Sequence, residues 1–570
     1  MRYFVLVCDY DGTLASSGHV DEEVIEALKR VRSSGRKLLL VTGRHLDDLM
    51  HVFPHLDLFD RVVAENGALL YRPASREEKI LSEAPKHVFI ELLRQREVNP
   101  LGVGRVIVDT REPYEKTALE VIHELGLELQ VIFNKGAVMI LPSGLNKATG
   151  LVAALSELNL SPHNAVGIGD AENDHAFLSQ CECAVAVENA LPMVKERADF
   201  VTEGDHGRGV IELADKLMES DLVEFESQLT RHEIVLGTGE DGEEIRLKPY
   251  GTNVLVAGTS GSGKSTFAIG FLERLIERGY QFCIIDPEGD YQNFEGGVVF
   301  GESTKPPLMD EIHNFLEKSM QNAIINLLGV GLDHRPAFFK ELLPSLLKLR
   351  LETGRPHWIV IDETHHLMPS DWAPASATLP QEPSGLMLIT VHPDRVAPAM
   401  LASAGTVIAI GDAPDQTIQT FSKTIGEKSP KVPHKKLKPG EAIVWHRQAK
   451  AKPVWIRSIP PQTEHQRHIR KYAEGKLSEK DAFYFRGPEN KLNLRAQNLI
   501  TFIELAEGVD DETWSYHLEQ GDYSAWFREA IEDEELANEA EKIEKMTDAS
   551  PEKSRELIKS IIEARYTAPS

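Results

Sequence analysis

The sequence predicts an α/β chain of several domains that ends in a helical one, and three observations carry that reading. The first is Asn253 to Thr266, NVLVAGTSGSGKST, in which an apolar strand (Val254 to Ala257) runs into a glycine-rich turn and a Lys-Ser-Thr that opens a helix. The second is a series of short apolar strands near the N-terminus, each ending in a polar residue, as in an open parallel sheet. The third is length: 570 residues are too many for one core and imply roughly three or four domains.

Composition narrows the class. With 42% hydrophobic and 26% charged residues the chain folds by burial. Cys8, Cys181, Cys183 and Cys283 lie in or beside apolar strands without zinc-like spacing, which predicts buried reduced thiols. No apolar run reaches the ~18 residues of a membrane span, and the N-terminal FVLV is too short for a signal peptide, so no membrane partner and a cytoplasmic location are expected. A net charge of −27 argues against a surface that binds nucleic acid as a whole, while leaving room for a local basic band.

From the N-terminus, Tyr3 to Val7 is an apolar run leading into CDYDGTLA. Asp9 and Asp11, two apart at a strand end, face one crevice, and Gly12 and Thr13 break the strand. Paired carboxylates repel unless a cation such as Mg2+ sits between them, and together they can serve as nucleophile and general acid/base. A helix from Asp21 to Ser34 leads to KLLLVTGR, which ends at Thr42 and Gly43. Asn146-Lys147 opens a helix after MILPSG, and AVGIG ends in Asp170 with Asn173 and Asp174 following. Between Tyr71 and Leu141 the pattern gives two helices and three strands.

DYDGT, VTGR, the lysine and GDxxND, in that order, resemble the haloacid dehalogenase (HAD) superfamily, specifically its Cof-type, sugar-phosphatase-like branch, over residues 1 to about 215. The resemblance implies a Rossmann-like core (1–71 and 142–215) with a small α/β cap (72–141) that restricts the site to small phosphorylated substrates. It also implies Asp9 as nucleophile and Asp11 as acid/base, with Thr42, Gly43, Asn66 (of AENGA) and Lys147 holding the phosphoryl group. Asp9, Asp11 and Asp170 would bind Mg2+ with Asp174 in support.

Residues 216–232 are expected to link this part to a P-loop domain, 233–460, opened by a strand pair (Glu233 to Lys248). In the loop, Gly258, Thr259, Ser260, Gly261, Ser262 and Gly263 turn the backbone so that N–H groups face phosphate oxygens. Lys264 reaches the β/γ-phosphates of ATP, Ser265 offers its hydroxyl to Mg2+, and Thr266 continues the helix. In HWIVIDETHH, Asp362 ends a strand where it can hold the Mg2+ water shell, and Glu363 can deprotonate the attacking water. LMLITVHPD places Thr390 and His392 where a γ-phosphate sensor belongs. With DPEGDY and LKPGEAIVW, these motifs resemble HerA/FtsK-type ATPases, within the RecA/HerA-like P-loop NTPases. His392 stands where that resemblance leads one to expect Gln. The resemblance implies a homo-oligomeric ring, for which a hexamer is one expectation, with an arginine finger that Arg335, Arg395 and Arg447 leave undecided.

Residues 461–570 read as a helical domain. A charged helix (Glu464 to Lys476) precedes an amphipathic one with Leu494, Leu499, Phe502 and Leu505 on its apolar side. Trp514, Tyr516, Tyr523, Trp526 and Phe527 fit a small core better than a base-stacking surface, because 501–548 holds 16 acidic residues against 3 basic. Between Lys428 and Lys471 stand 12 Lys/Arg against 2 Asp/Glu, either a solvated face or a track for an anionic ligand, and the same band holds His465 and His468, weak metal candidates. The whole predicts a Mg2+-dependent phosphatase fused to an oligomeric ATPase. A DNA-translocating motor with a phosphate-editing domain and a nucleotide-gated scaffold remain open, and so does nucleic acid as a partner.

Overall fold

In the computed structural model of the chain the described residues are 1–372, 384–432, 436–447, 449, 451–462, 477, 481–531, 533–546 and 550–566. They form two compact units, Met1–Pro460 and Pro461–Ser570. No helix among the described residues is long and apolar enough to cross a membrane.

The first unit holds two large sheets. The N-terminal one begins with β1 (Val5–Asp9), β2 (Lys37–Val41), β3 (Arg61–Ala64), β4 (Leu69–Arg72) and β5 (Glu77–Ile80). A separate four-stranded sheet follows: β6 (Gly102–Val103), β7 (Val108–Arg111), β8 (Leu129–Asn134) and β9 (Ala137–Pro142), in the order β6-β7-β9-β8. The chain then returns to the first sheet with β10 (Ala165–Gly169), β11 (Cys183–Ala186) and β12 (Phe200–Val201), giving the order β12-β11-β10-β1-β2-β3-β4-β5. AVGIG, and VLVCD up to Asp9 at its tip, are apolar because helices cover both faces of a parallel sheet, and every residue of β1 and β10 is buried. β1 pairs in parallel with both β2 and β10, so Asp9, Thr42 and Asp170 emerge side by side at one edge of the sheet. The four-stranded sheet has its own small core, in which Phe89, Leu93, Val121 and Ile122 of two helices meet Val108, Val138 and Ile140.

Two expected boundaries move. β5 pairs with β4, carrying the core sheet to Ile80, so the cap begins after that residue rather than at 72. The helix His206–Ser220, placed partly in a linker by the sequence, buries Val210, Leu213, Ala214 and Leu217 against the core, and Leu222 and Leu229 continue it.

The second sheet takes β13 (Ile234–Thr238), β14 (Glu244–Leu247), β15 (Val254–Gly258), β16 (Phe282–Asp286), β17 (Val298–Phe300), β18 (Ala323–Asn326), β19 (Trp358–Ile361), β20 (Leu386–Thr390), β21 (Thr406–Ile410), β22 (Glu441–His446) and β23 (Val454–Ser458). Their order is β14-β13-β23-β22-β21-β15-β20-β19-β16-β18-β17. From β21 to β17 all pairings are parallel; the other edge is antiparallel.

The two sheets are joined by a buried polar junction rather than a loose linker. Glu182, 2% exposed, accepts from Arg2 Nη2 at 2.6 Å and from the Tyr280 hydroxyl at 2.9 Å, with His163 Nδ1 at 2.7 Å. His163 Nε2 donates to the carbonyl of Arg278, just past the P-loop helix Lys264–Glu277, and its ring stacks on Tyr280 at 3.6 Å between centroids. Arg355 reaches the carbonyl of Asn159 at 2.6 Å. A buried carboxylate is tolerated here because these donors converge on it.

The second unit contains β24 (Phe483–Phe485) paired with β25 (Leu494–Ala496) and the helices Leu499–Gly508, Asp511–Gln520, Asp522–Glu529, Glu534–Glu544 and Pro551–Tyr566. Trp514, Tyr523, Trp526 and Phe527 are buried together, while Tyr516 is exposed. Leu494, expected on a helix, stands on β25 and is exposed, because the strand pairing with Phe483–Phe485 takes that segment out of the helix. The expected helix over 464–476, with His465 and His468, lies outside the described residues, as does part of the basic band.

Candidate active sites

The first site forms at the carboxyl ends of β1, β2 and β10. Asp9 is 3% exposed, Lys147 1%, and Asp170 and Asp174 are fully buried. Lys147 Nζ donates to Asp9 Oδ1 at 2.6 Å and to Asp174 Oδ1 at 2.5 Å. It is delivered by the helix Lys147–Glu157, whose start is set by a capping box: Asn146 accepts from the Ala148 and Thr149 N–H groups and Thr149 Oγ1 reaches back to the Asn146 N–H. Asp174 Oδ2 accepts from the backbone N–H groups of Asp170 and Ala171, both at 2.8 Å. Burial, and then the neighbouring Asp174, push Asp9 well above the ordinary carboxylate range, with Lys147 opposing. Burial alone would lower the Lys147 ammonium, but Asp174 and Asp9 outweigh it and hold it above the usual lysine value.

Carboxylate oxygens of Asp9, Asp170 and Asp174 lie within 4.8 Å of one another. Three buried, mutually repelling carboxylates served by one buried ammonium fit a hard divalent cation. Asp11 is not part of this cluster. Its carboxylate is turned to Arg44 of VTGR, with Nε at 2.7 Å and Nη2 at 2.6 Å, so the expected side-chain ligand is instead half of a bidentate ion pair at the mouth of the site. Thr42 is buried, and its Oγ1 accepts from the Arg44 N–H. Asn66 Oδ1 accepts from Asn173 Nδ2 at 3.1 Å, while Asn66 Nδ2 and Asn173 Oδ1 are buried without a partner, polar atoms that a ligand could satisfy.

The cap sits closed over this site through residues the sequence did not single out. Glu65, fully buried, accepts from the N–H groups of Arg105 (2.8 Å), Val106 (2.7 Å) and Ile107 (3.0 Å) at the entrance to β7. His45 meets Asp109 at 2.5 Å, and Arg105 pairs with Asp47 and Glu78. Lys135, in the turn between β8 and β9, donates to Asp170 Oδ2. Glu65 is in the AENGA motif and was within reach of sequence reasoning; Lys135 carries no local signal.

The second site surrounds β15. Gly258 passes so close to Ile410 that a Cβ would lie 2.0 Å from its carbonyl oxygen, and Gly261 and Gly263 have φ of 72° and 96°, a conformation that favours glycine. Lys264 and Ser265 are buried, and Lys264 Nζ donates to the Thr259 carbonyl at 2.8 Å. Thr259, Ser260, Ser262 and Thr266 complete the turn and the first helical turn. β20 lies between β15 and β19, with Thr390 level with Ala257, so Thr390 separates the loop from Asp362 and Glu363 after β19. His365 Nδ1 stands 3.1 Å from Thr390 Oγ1 and 3.4 Å from Glu363 Oε2, joining the tip of β20 to Glu363. His392 donates its N–H to Thr390 Oγ1, and its ring is 5.3 Å from that of His365. Burial pushes Asp286, at the tip of β16, up to about 7. Arg447 is engaged by the carbonyls of Ala402 and Ala404 and by Glu427, which leaves Arg335 and Arg395 as the less committed arginines of the three.

A second cluster of donor atoms, His163, Glu182 and His232, belongs to the junction, where Arg2, Tyr280 and the Arg278 and Cys181 carbonyls already occupy it.

Comparison with known proteins agrees with this division. A family model described as haloacid dehalogenase-like hydrolase matches residues 6–104 and 99–213, and one for the central domain of helicase HerA matches 244–337. Phosphoglycolate phosphatase 2 of Saccharolobus solfataricus is 32% identical over 219 residues, 38% of this chain and 92% of that protein. The phosphoglycolate phosphatase of Methanothermobacter thermautotrophicus is 28% identical over 222 residues, 37% of this chain and 98% of that protein. A solved haloacid dehalogenase-like hydrolase from Bacteroides thetaiotaomicron aligns at 21% identity and a TM-score of 0.33, covering 38% of this chain and 100% of that one. Through its N-terminal part this chain belongs to the haloacid dehalogenase-like hydrolases, and a HerA-type central domain follows in the same polypeptide.

Proposed function

We propose that the N-terminal part is a Mg2+-dependent phosphatase acting on a small phosphorylated acid of the phosphoglycolate kind, and that the P-loop part is an oligomeric ATPase. The observation that carries the first half is the buried Asp9–Lys147–Asp174–Asp170 cluster beneath a docked cap; the phosphoglycolate phosphatases among the relatives support the substrate class. Asp9 forms a bond to phosphorus as the ester P–O bond breaks, and Asp11, once released from Arg44 and carrying a proton taken from solvent, gives that proton to the leaving oxygen. Asp11 then takes a proton from a water whose oxygen attacks phosphorus, freeing the Asp9 carboxylate and inorganic phosphate. Lys147 and Thr42 hold the phosphoryl oxygens, and the cap excludes bulk water. Asp9 and Asp170, with Asp174 in support, would hold Mg2+, which would neutralise the phosphoryl charge.

In the second site Lys264 and the loop N–H groups hold the ATP phosphates, Glu363 takes the proton of the attacking water, and Ser265 and Asp362 are the residues for Mg2+. The test is phosphate release from phosphoglycolate, sugar phosphates, nucleotides and ATP, with Asp9→Asn and Lys264→Ala each expected to abolish one activity. Full phosphatase activity in Asp9→Asn would refute the nucleophile. The HerA match favours a second reading, a DNA-translocating motor. Strong, salt-sensitive stimulation of ATP hydrolysis by duplex DNA would support it; the net charge of −27 leads us to expect little.

A further inference from the structure

β8 and β9 form a regular antiparallel hairpin, paired from Leu129↔Pro142 to Asn134↔Ala137, and Lys135 and Gly136 make its tip with φ of 47° and 82°. Two successive residues at positive φ are the mark of a tight two-residue turn, so the tip is a defined object rather than a loose loop. The hairpin lays this tip on the core. A Cβ on Gly12 would lie 3.0 Å from Lys135 Nζ and 2.3 Å from Asp170 Oδ2, which means that glycine at 12 lets the lysine and the carboxylate meet.

The other polar contacts of the cap differ in kind. Glu65 holds backbone at 105–107, His45 holds Asp109, and Arg105 holds Asp47 and Glu78; none of these groups belongs to the Asp9, Asp170 and Asp174 cluster. Lys135 alone among these cap contacts ends on a carboxylate of that cluster, and its side chain keeps 47% of its exposure. Asp170 also accepts from Thr13 Oγ1 at 3.2 Å. Were a divalent cation to draw on Asp170, the Lys135 ammonium would be free to pair with another anion within the sweep of its four-carbon stem. The phosphoryl group is already served from below by Lys147, which is buried and shared between Asp9 and Asp174.

We infer that Lys135 is a specificity-determining residue that binds the carboxylate of a phosphorylated acid and so selects acids over uncharged phosphate esters. The inference rests on the phosphatase reading above and deepens it. An ammonium on a flexible stem suits such a role, because it is a compact point charge that can leave Asp170 and follow a small substrate without the fixed geometry a guanidinium imposes.

The experiment compares 2-phosphoglycolate with p-nitrophenyl phosphate, which has no carboxylate, on the full-length wild type, Lys135→Met and Lys135→Arg, with Mg2+ half-saturation measured for each using p-nitrophenyl phosphate. Lys135→Met should lower kcat/KM for phosphoglycolate by roughly 10- to 100-fold, mainly through KM, and leave p-nitrophenyl phosphate within about threefold. Lys135→Arg should recover part of the loss. An unchanged ratio of the two substrates in Lys135→Met, or an equal loss on both, overturns the role of Lys135 alone. An equal loss that accompanies an altered Mg2+ half-saturation would make the lysine a tenant of the cation site. A wild type that hydrolyses p-nitrophenyl phosphate but not phosphoglycolate overturns the substrate reading and the inference with it.

Discussion

Replacing Glu65 by alanine should open the cap without unfolding the core. The carboxylate is fully buried and accepts three backbone N–H groups, those of Arg105, Val106 and Ile107, at 2.7 to 3.0 Å. A hydrogen bond to a charged acceptor contributes about 1.5–3 kcal/mol, and a buried donor left without a partner costs a similar amount. The three donors can regain water once the cap lifts, so the loss falls on the closed state; three such bonds would sum to about 4.5–9 kcal/mol, and because they share one carboxylate and are not additive we expect about 3–6 kcal/mol against docking. At about 1.4 kcal/mol per decade this speeds opening-limited exchange of the Val106 and Ile107 amides by roughly 10^2- to 10^4-fold. Hydrogen exchange on a peptide spanning 101–109, beside phosphatase KM and ATPase rate on the same protein, reads this directly. Glu65→Gln should fall between, since an amide keeps one acceptor oxygen and turns its NH2 toward a donor. Gly104 allows the approach, because a Cβ there would lie 2.6 Å from Glu65 Oε1. Unchanged exchange at 105–107 in Glu65→Ala would refute the clamp, and a matching loss of ATPase activity would show that the damage is global.

Gly67→Ala should reduce phosphatase turnover while sparing ATP hydrolysis: Gly67 has φ 104°, and a Cβ would lie 1.9 Å from the Asn146 carbonyl oxygen, so the start of the Lys147 helix must shift, at roughly 2–5 kcal/mol of stability by thermal melting. Lys264→Ala should eliminate ATP hydrolysis, leave phosphatase turnover within a few-fold and weaken oligomers, whereas Glu363→Gln should bind ATP and hold the oligomer; light scattering and phosphate release check both, and a phosphatase that dies with Lys264 would refute their chemical independence. Burial pushes His232 down from 6.5 to about 4, so the unfolded chain takes up a proton before the folded one does. The stability His232 contributes is therefore present above pH 6.5 and lost as pH falls toward 4. The difference in Tm between wild type and His232→Gln should shrink across that window; comparing the two proteins separates it from Asp286, whose raised value near 7 acts with the opposite sign, and a pH-independent difference would refute it.

What the sequence determines by itself is local. A strand that ends in Asp9, a glycine turn that must take φ of 72° and 96° at Gly261 and Gly263, and a helix opened by Asn146-Lys147 are each written in a few consecutive residues, because strand alternation, turn conformation and capping act over one or two turns of chain. Parallel pairing then brings the tips that carry Asp9, Thr42 and Asp170 to one edge, whereas Lys147 reaches them at the start of a helix that follows β9 of the antiparallel cap sheet. The tertiary structure alone decides which partner each group takes. Asp11 faces Arg44 and not the carboxylate cluster; Lys135 reaches Asp170 from another sheet; the helix His206–Ser220 and β5 join the core across boundaries drawn too early. The junction is the furthest case, since Arg2, His163, Glu182 and Tyr280 come from separated segments and each is unremarkable where it stands in the chain. Their pairing follows from desolvation: once two sheets pack, a buried carboxylate must find donors, and which donors are present depends on how the surfaces meet, a relation that no periodicity in the chain encodes.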